Sequence, residues 1–64
     1  GEGYELTDTQ REALVAAFDH GYYDSPRQAT LTEVAADLDI TQQSLSSRLR
    51  RGTRRLVAAT LVTE

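Results

Sequence analysis

Residues 40–56, ITQQSLSSRLRRGTRRL, hold five arginines and no acid in a chain whose formal charge is −3. The side chains able to make specific contacts here are Gln42, Gln43, Ser46, Ser47 and Arg50, with Thr41, Arg48, Arg51, Arg54 and Arg55 around them. A glutamine amide presents a donor beside an acceptor, which matches the edge of adenine. An arginine fork matches the two acceptors of guanine, and a serine hydroxyl serves either base. Guanidinium groups also pair with phosphate oxygens in a charge-assisted, bidentate way. Such a set recognises a polyanion with a patterned edge, and duplex DNA is the polymer that offers both. With Leu45 and Leu49 turned inward, a step of about 100° per residue places Gln43, Ser46, Ser47, Arg50 and Arg54 outward, with Gln42 near the helix start. Base edges are expected for Gln42, Gln43, Ser46, Ser47 and Arg50. Phosphates are expected for Thr41, Arg48, Arg51, Arg54 and Arg55, the first through its hydroxyl and the helix N-terminus.

The distribution of charge supports this. Residues 1–39 carry nine acids against two arginines, a net of −7, whereas residues 40–64 carry five arginines against one glutamate, a net of +4. Positive charge is gathered on one surface and the acids are kept off it. All seven basic residues are arginine and none is lysine, while Asp, Glu and Thr are plentiful. That bias points to a salt-rich cytoplasm. At molar salt the Debye length is about 3 Å, so short-range bidentate arginine contacts outlast diffuse attraction.

Other classes of function find little support. His20 is the single histidine, Asp19 is its neighbour in sequence rather than across a site, and there is no cysteine or glycine-rich phosphate loop. No enzyme is expected, and His20 is assigned to the carbonyls at a helix C-terminus. Asp37, Asp39 and His20 have no spacing that demands a metal, and no cofactor is expected. No run approaches the roughly 18 apolar residues of a membrane span, and the opening GEGYELTDTQ lacks a signal-peptide layout, so no membrane partner is expected and the location is read as cytoplasmic. A chain that starts at Gly1 reads as one domain, residues 1–64, cut from a larger protein.

Three helices must position these side chains. After a tail of residues 1–6, Thr7 and Gln10 have capping-box spacing, Ala13, Leu14, Ala17 and Phe18 share a face, and Gly21 ends a helix over about 8–20. Thr30 and Glu33 repeat the spacing ahead of a short helix over about 31–38, whose stripe is Leu31, Val34, Ala35 and Leu38. Thr41 caps a third helix over about 42–61, with Leu45, Leu49, Gly52, Leu56 and Ala59 recurring at spacings of four and three. The second helix, the turn DITQ and the third helix have helix-turn-helix spacing, with Ala35 small where the two helices cross. Val34, Leu38, Ile40, Leu45 and Leu49 set the angle between them. Asp39 stands where a glycine is usual, and aspartate tolerates the left-handed conformation better than most residues.

These segments carry a family likeness. LTDTQREAL in the first helix, GYYDSPR in the connection, TLTEVAADLDIT in the second helix and SLSSRLRR in the third resemble the helix-turn-helix domain of the haloarchaeal bacterio-opsin activator family of transcription regulators. The helix-turn-helix half is also similar to sigma-factor region 4 and to response-regulator effector domains. The likeness implies an all-α three-helix bundle with a long third helix and no wing. It further implies double-stranded DNA as partner, base reading by Gln42, Gln43, Ser46, Ser47 and Arg50, and an N-terminal sensory region of the PAS or GAF type in the full protein. Gly52 and Thr53 depart from the family's usual alanine and glutamate, so a kink or a close helix approach is expected at Gly52.

Two segments remain. In GYYDSPR, Tyr22 and Tyr23 are expected to pack on the first and third helices and Arg27 to pair with Asp24 or another acid, with a phosphate contact from Arg27 as the alternative. In the tail, Val57, Leu61 and Val62 lie off the stripe and need a cover. They either close over Leu6 and Phe18 of the same chain, which is preferred, or pair with a second copy as a homodimer through the C-terminal part of the third helix. A protein-interaction module without DNA readout is the rival function.

Overall fold

Each helix opens on a threonine, as the spacing predicts. The computed structural model of the chain describes residues 6–62, over which α1 is Asp8–His20, α2 is Leu31–Leu38 and α3 is Gln42–Thr60. The Thr7 hydroxyl accepts the Gln10 N–H at 3.1 Å while the Thr7 N–H donates to Gln10 Oε1 at 3.2 Å. Thr30 and Glu33 repeat the exchange at 3.1 and 2.8 Å. Thr41 accepts from the Ser44 N–H at 3.0 Å. Each contact satisfies a backbone donor that the first helical turn would otherwise leave unpaired. Of the tail expected over residues 1–6, only Leu6 lies within the described residues.

The helix ends are equally local in origin. Gly21 caps α1 at φ 85°, with its own N–H on the Phe18 carbonyl at 3.1 Å and that of Tyr22 on the Ala17 carbonyl at 2.9 Å. Asp39 caps α2 at φ 60°, and the N–H groups of Asp39 and Ile40 reach Ala36 and Ala35 at 3.1 and 3.0 Å. Both are Schellman-type ends, which need a left-handed residue. A Cβ added at Gly21 would lie 2.5 Å from the Gln28 Cβ. Gly21→Ala is therefore expected to cost about 1–2 kcal/mol from the left-handed conformation, with the shift of Gln28 in addition. Chemical denaturation would reveal it as a lower midpoint at unchanged slope.

The core is small and rich in alanine. Ala13 and Ala17 of α1, Ala29 of the connection, Val34 and Ala35 of α2, and Leu45 and Leu49 of α3 form it, and Leu14, Ala16, Tyr22, Leu31, Leu38 and Ile40 pack around it. Small side chains let three helices approach closely, so little apolar volume closes the bundle. At Gly52 the close approach is realised: a Cβ there would meet Leu14 Cδ1 at 2.8 Å, and α3 runs unbroken past the site. No strand, and so no wing, occurs among the described residues.

Several expectations are corrected. Phe18 is 67% exposed rather than in the core, because the buried face of α1 is the one carrying Gln10, Ala13 and Ala17, about 100° away around the helix. The tail does not close over Leu6 and Phe18: Val57, Leu61 and Val62 stay exposed at the end of α3. An open groove lined by Leu6, Leu14, Val15, Phe18 and Leu56 is left on that side. His20 turns away from the carbonyls of its own helix end, and its Nε2 meets Asp37 Oδ2 of α2 at 3.1 Å.

Candidate nucleic-acid interface

Two packed leucines fix the rotation of α3 about its axis. Leu45 is fully buried and Leu49 nearly so, one turn apart, and their burial forces the opposite face outward. Gln42, Gln43, Ser46, Ser47, Arg50, Arg51, Arg54 and Arg55 are exposed, as is Thr41, and Arg48 is half-buried. Two shallow grooves flank the exposed face. One is lined by Leu31 of α2 and by Gln42, Gln43, Ser46, Ser47, Arg50 and Arg51. The other is lined by Thr7, Thr9 and Gln10 at the start of α1 and by Thr41, Gln43, Ser44, Ser47, Arg48 and Arg51. Gln43, Ser47 and Arg51 border both, so they form the ridge between the grooves. No acidic side chain lines either groove among the described residues.

All ten residues singled out in the sequence thus lie on or beside the exposed face of α3, but they are not equivalent. The Thr32 hydroxyl of α2 donates to Gln42 Oε1 at 3.0 Å, which orients that amide with its NH₂ group free. Gln43 carries no such tie. A bidentate pair with adenine needs both ends of a glutamine amide, so Gln43 is the better equipped of the two. Arg51, placed beside the reading face by helical spacing, stands on the ridge itself. Thr7, expected only as a helix cap, and Thr9, whose hydroxyls lie 3.2 Å apart, also border this face. Their place beside Arg48 depends on how α1 packs on α3, which nothing in the local sequence reports.

The GYYDSPR turn also departs from expectation. Arg27 pairs with neither Asp24 nor another described acid. Its guanidinium carbon sits 4.5 Å from the centre of the Tyr22 ring in a cation–π contact. Tyr22 and Tyr23 meet edge to face, with centroids 5.1 Å apart. Tyr22 packs on the core and Tyr23, though half-exposed, lies against α3 at Thr53, as expected of the pair. Burial pushes the Tyr23 phenol above its ordinary pKa, and the Thr53 hydroxyl opposes this by hydrogen bonding.

Among the described residues no group of three or more metal-ligating side chains converges, and no helix is long and apolar enough to cross a membrane.

A family model described as an HTH DNA binding domain matches residues 6–58. The chain is 49% identical over 45 residues, 70% of its length, to the transcriptional regulator NarO of Haloferax volcanii, of which it covers 21%. It is 48% identical over 46 residues, 72% of its length, to a dimethyl sulfoxide reductase transcriptional activator of Halobacterium salinarum, covering 20% of that protein. A protein of the same description in Haloferax volcanii is 41% identical over 59 residues, 92% of this chain and 28% of the relative. The chain therefore spans between a fifth and a little over a quarter of the length of these relatives. No solved structure matches it. The first two helices, the left-handed turn between α2 and α3 and all of α3 but its last two residues fall inside the matched span, the polar ridge included, and the chain belongs to the bacterio-opsin activator-like helix-turn-helix DNA-binding domains of haloarchaeal transcriptional regulators.

Proposed function

We propose that α3 lies in the major groove of duplex DNA and reads sequence there as the output domain of a longer, cytoplasmic regulator without catalytic activity. Gln43, Ser46, Ser47 and Arg50 face base edges, Gln42 donates from its free NH₂, and Thr41, Arg48, Arg51, Arg54 and Arg55 hold the flanking phosphates. The observation that carries this is the acid-free ridge of Gln43, Ser47 and Arg51, held outward by the burial of Leu45 and Leu49 on the opposite side of the same helix. Sensory domains occupy other parts of the full protein, in keeping with the fraction of its relatives that this chain spans. The exposed Val57, Leu61 and Val62 favour one further feature, a homodimer through the end of α3 that would read two half-sites.

Selection of bound sites from random duplex DNA tests the main proposal. A recurring motif is the expected result, and recovery of sequences no different from the starting pool would overturn it. The salt dependence is a second expectation. Because every basic side chain is an arginine, specific binding should persist into molar salt through close bidentate contacts, while non-specific binding fades. Complete loss of specific affinity in that range would refute the close-contact account.

A further inference from the structure

We infer that the turn carrying Tyr22 and Arg27 is a second backbone clamp, in which the Arg27 guanidinium donates to a phosphate of the DNA strand running along the α2 side of α3. The inference rests on the DNA-binding proposal and extends it to a part of the chain outside the helix-turn-helix.

Position is the first argument. A shallow groove bordered by Tyr22, Tyr23 and Leu49 shares Leu31, Ser46 and Arg50 with the groove beside the reading ridge. The surface is therefore continuous from Gln43 across Arg50 to the tyrosines, and the exposed Arg27 lies over Tyr22, the inner of the two rings. Beyond a major groove the next feature of a duplex is a phosphate strand, and a cation standing there meets it.

The state of Arg27 is the second. An arginine that serves the fold pairs with an acid, and Asp24 is three residues away. Yet Asp24 Oδ2 faces the C-cap of α1, 3.1 Å from where a Gly21 Cβ would lie, and Arg27 makes no ion pair with a described acid. Its guanidinium carbon lies 4.5 Å from the centre of the Tyr22 ring, a contact that uses the π face and leaves the charge unneutralised by any described acid. An arginine in that state can bind phosphate bidentately while losing little freedom.

Support from below is the third. Tyr22 packs on the core and meets Tyr23, which lies against Thr53 of α3. The platform under Arg27 is thus tied to the reading helix, so a phosphate held there would fix how deeply and at what angle α3 enters the groove.

The test is a salt series on the 64-residue chain with a selected site and with a random-sequence duplex, comparing wild type, Arg27→Ala, Arg27→Gln and Arg27→Lys. Each neutralised phosphate adds about 0.9 to the slope of log affinity on log salt, so over a ten-fold rise in salt the ratio of wild-type to Arg27→Ala affinity should fall roughly eight-fold. The same fall is expected on both duplexes. Arg27→Gln, which keeps a planar group over the ring without its charge, should behave like Arg27→Ala, and Arg27→Lys should restore the slope. Parallel slopes for wild type and Arg27→Gln, with circular dichroism showing both folded, would overturn the clamp and leave Arg27 a prop for Tyr22. A loss confined to the selected site would overturn it in favour of base reading. Failure of the underlying proposal looks different: wild type itself would bind neither duplex at any salt.

Discussion

Leu45→Ala should lower the stability of this domain by about 2–5 kcal/mol, the range for a buried leucine truncated in a core that cannot collapse onto the gap. Leu45 has no exposed surface and is, with Val34, one of the two largest fully buried side chains. Four of the other six buried core residues are alanines, which have no spare reach to fill a cavity. For a chain of 64 residues the total stability is only about 3–10 kcal/mol. The loss is therefore a large share of the whole, and the melting temperature should drop by at least about 10 °C at fixed salt. DNA affinity should follow, because Leu45 also sets which face of α3 points outward. Glu12→Ala is the control: Glu12 is exposed on α1, and a surface change of this kind stays within about 0.5 kcal/mol. Differential scanning calorimetry of the two variants decides the matter. Melting of Leu45→Ala within a few degrees of wild type would mean that the helices are not held together through this residue.

The parts of the molecule legible in the sequence are those with local causes. Thr7, Thr30 and Thr41 each satisfy a donor three residues ahead, and Gly21 and Asp39 each take the left-handed conformation that a Schellman end requires, so the helix limits follow from neighbours in the chain. The outward face of α3 is legible for the same reason, since Leu45 and Leu49 determine its rotation. What sequence could not supply is set by how one element packs on another. Phe18 belongs to an apolar stripe, but the face of α1 that meets α3 is set by Leu14 against Gly52 and by the buried Ala13 and Ala17, and it leaves Phe18 outside. The Thr32 hydroxyl on Gln42 exists only at the observed angle between α2 and α3. Arg27 chose a ring over a carboxylate because Asp24 faces the C-cap of α1, which hydrophobic periodicity cannot register. His20 found Asp37 across helices rather than the carbonyls of its own.

The readout at Arg50 carries the second large effect. Arg50 is exposed, borders the groove beside the ridge and the groove in front of the tyrosines, and lies one turn beyond Ser46 on the α2 side of α3. A guanidinium so placed can pair bidentately with guanine O6 and N7, a contact that provides about 1–3 kcal/mol of discrimination. Since about 1.4 kcal/mol is a factor of ten, Arg50→Ala should narrow the gap between the preferred site and its best single-base variant by roughly five-fold to a hundred-fold. Selection repeated with Arg50→Ala should then return the wild-type motif relaxed at one base pair. Gln43→Ala should relax a different position, with adenine the base expected there. Arg54→Ala, two turns beyond Ser47 and assigned to phosphate, should instead weaken all duplexes alike and leave the motif intact. The contrast separates groove reading from simple charge attraction. If Arg50→Ala lost affinity equally on every sequence, its guanidinium would belong to the backbone set, and the reading face would have to be shifted along α3 toward its N-terminal turn.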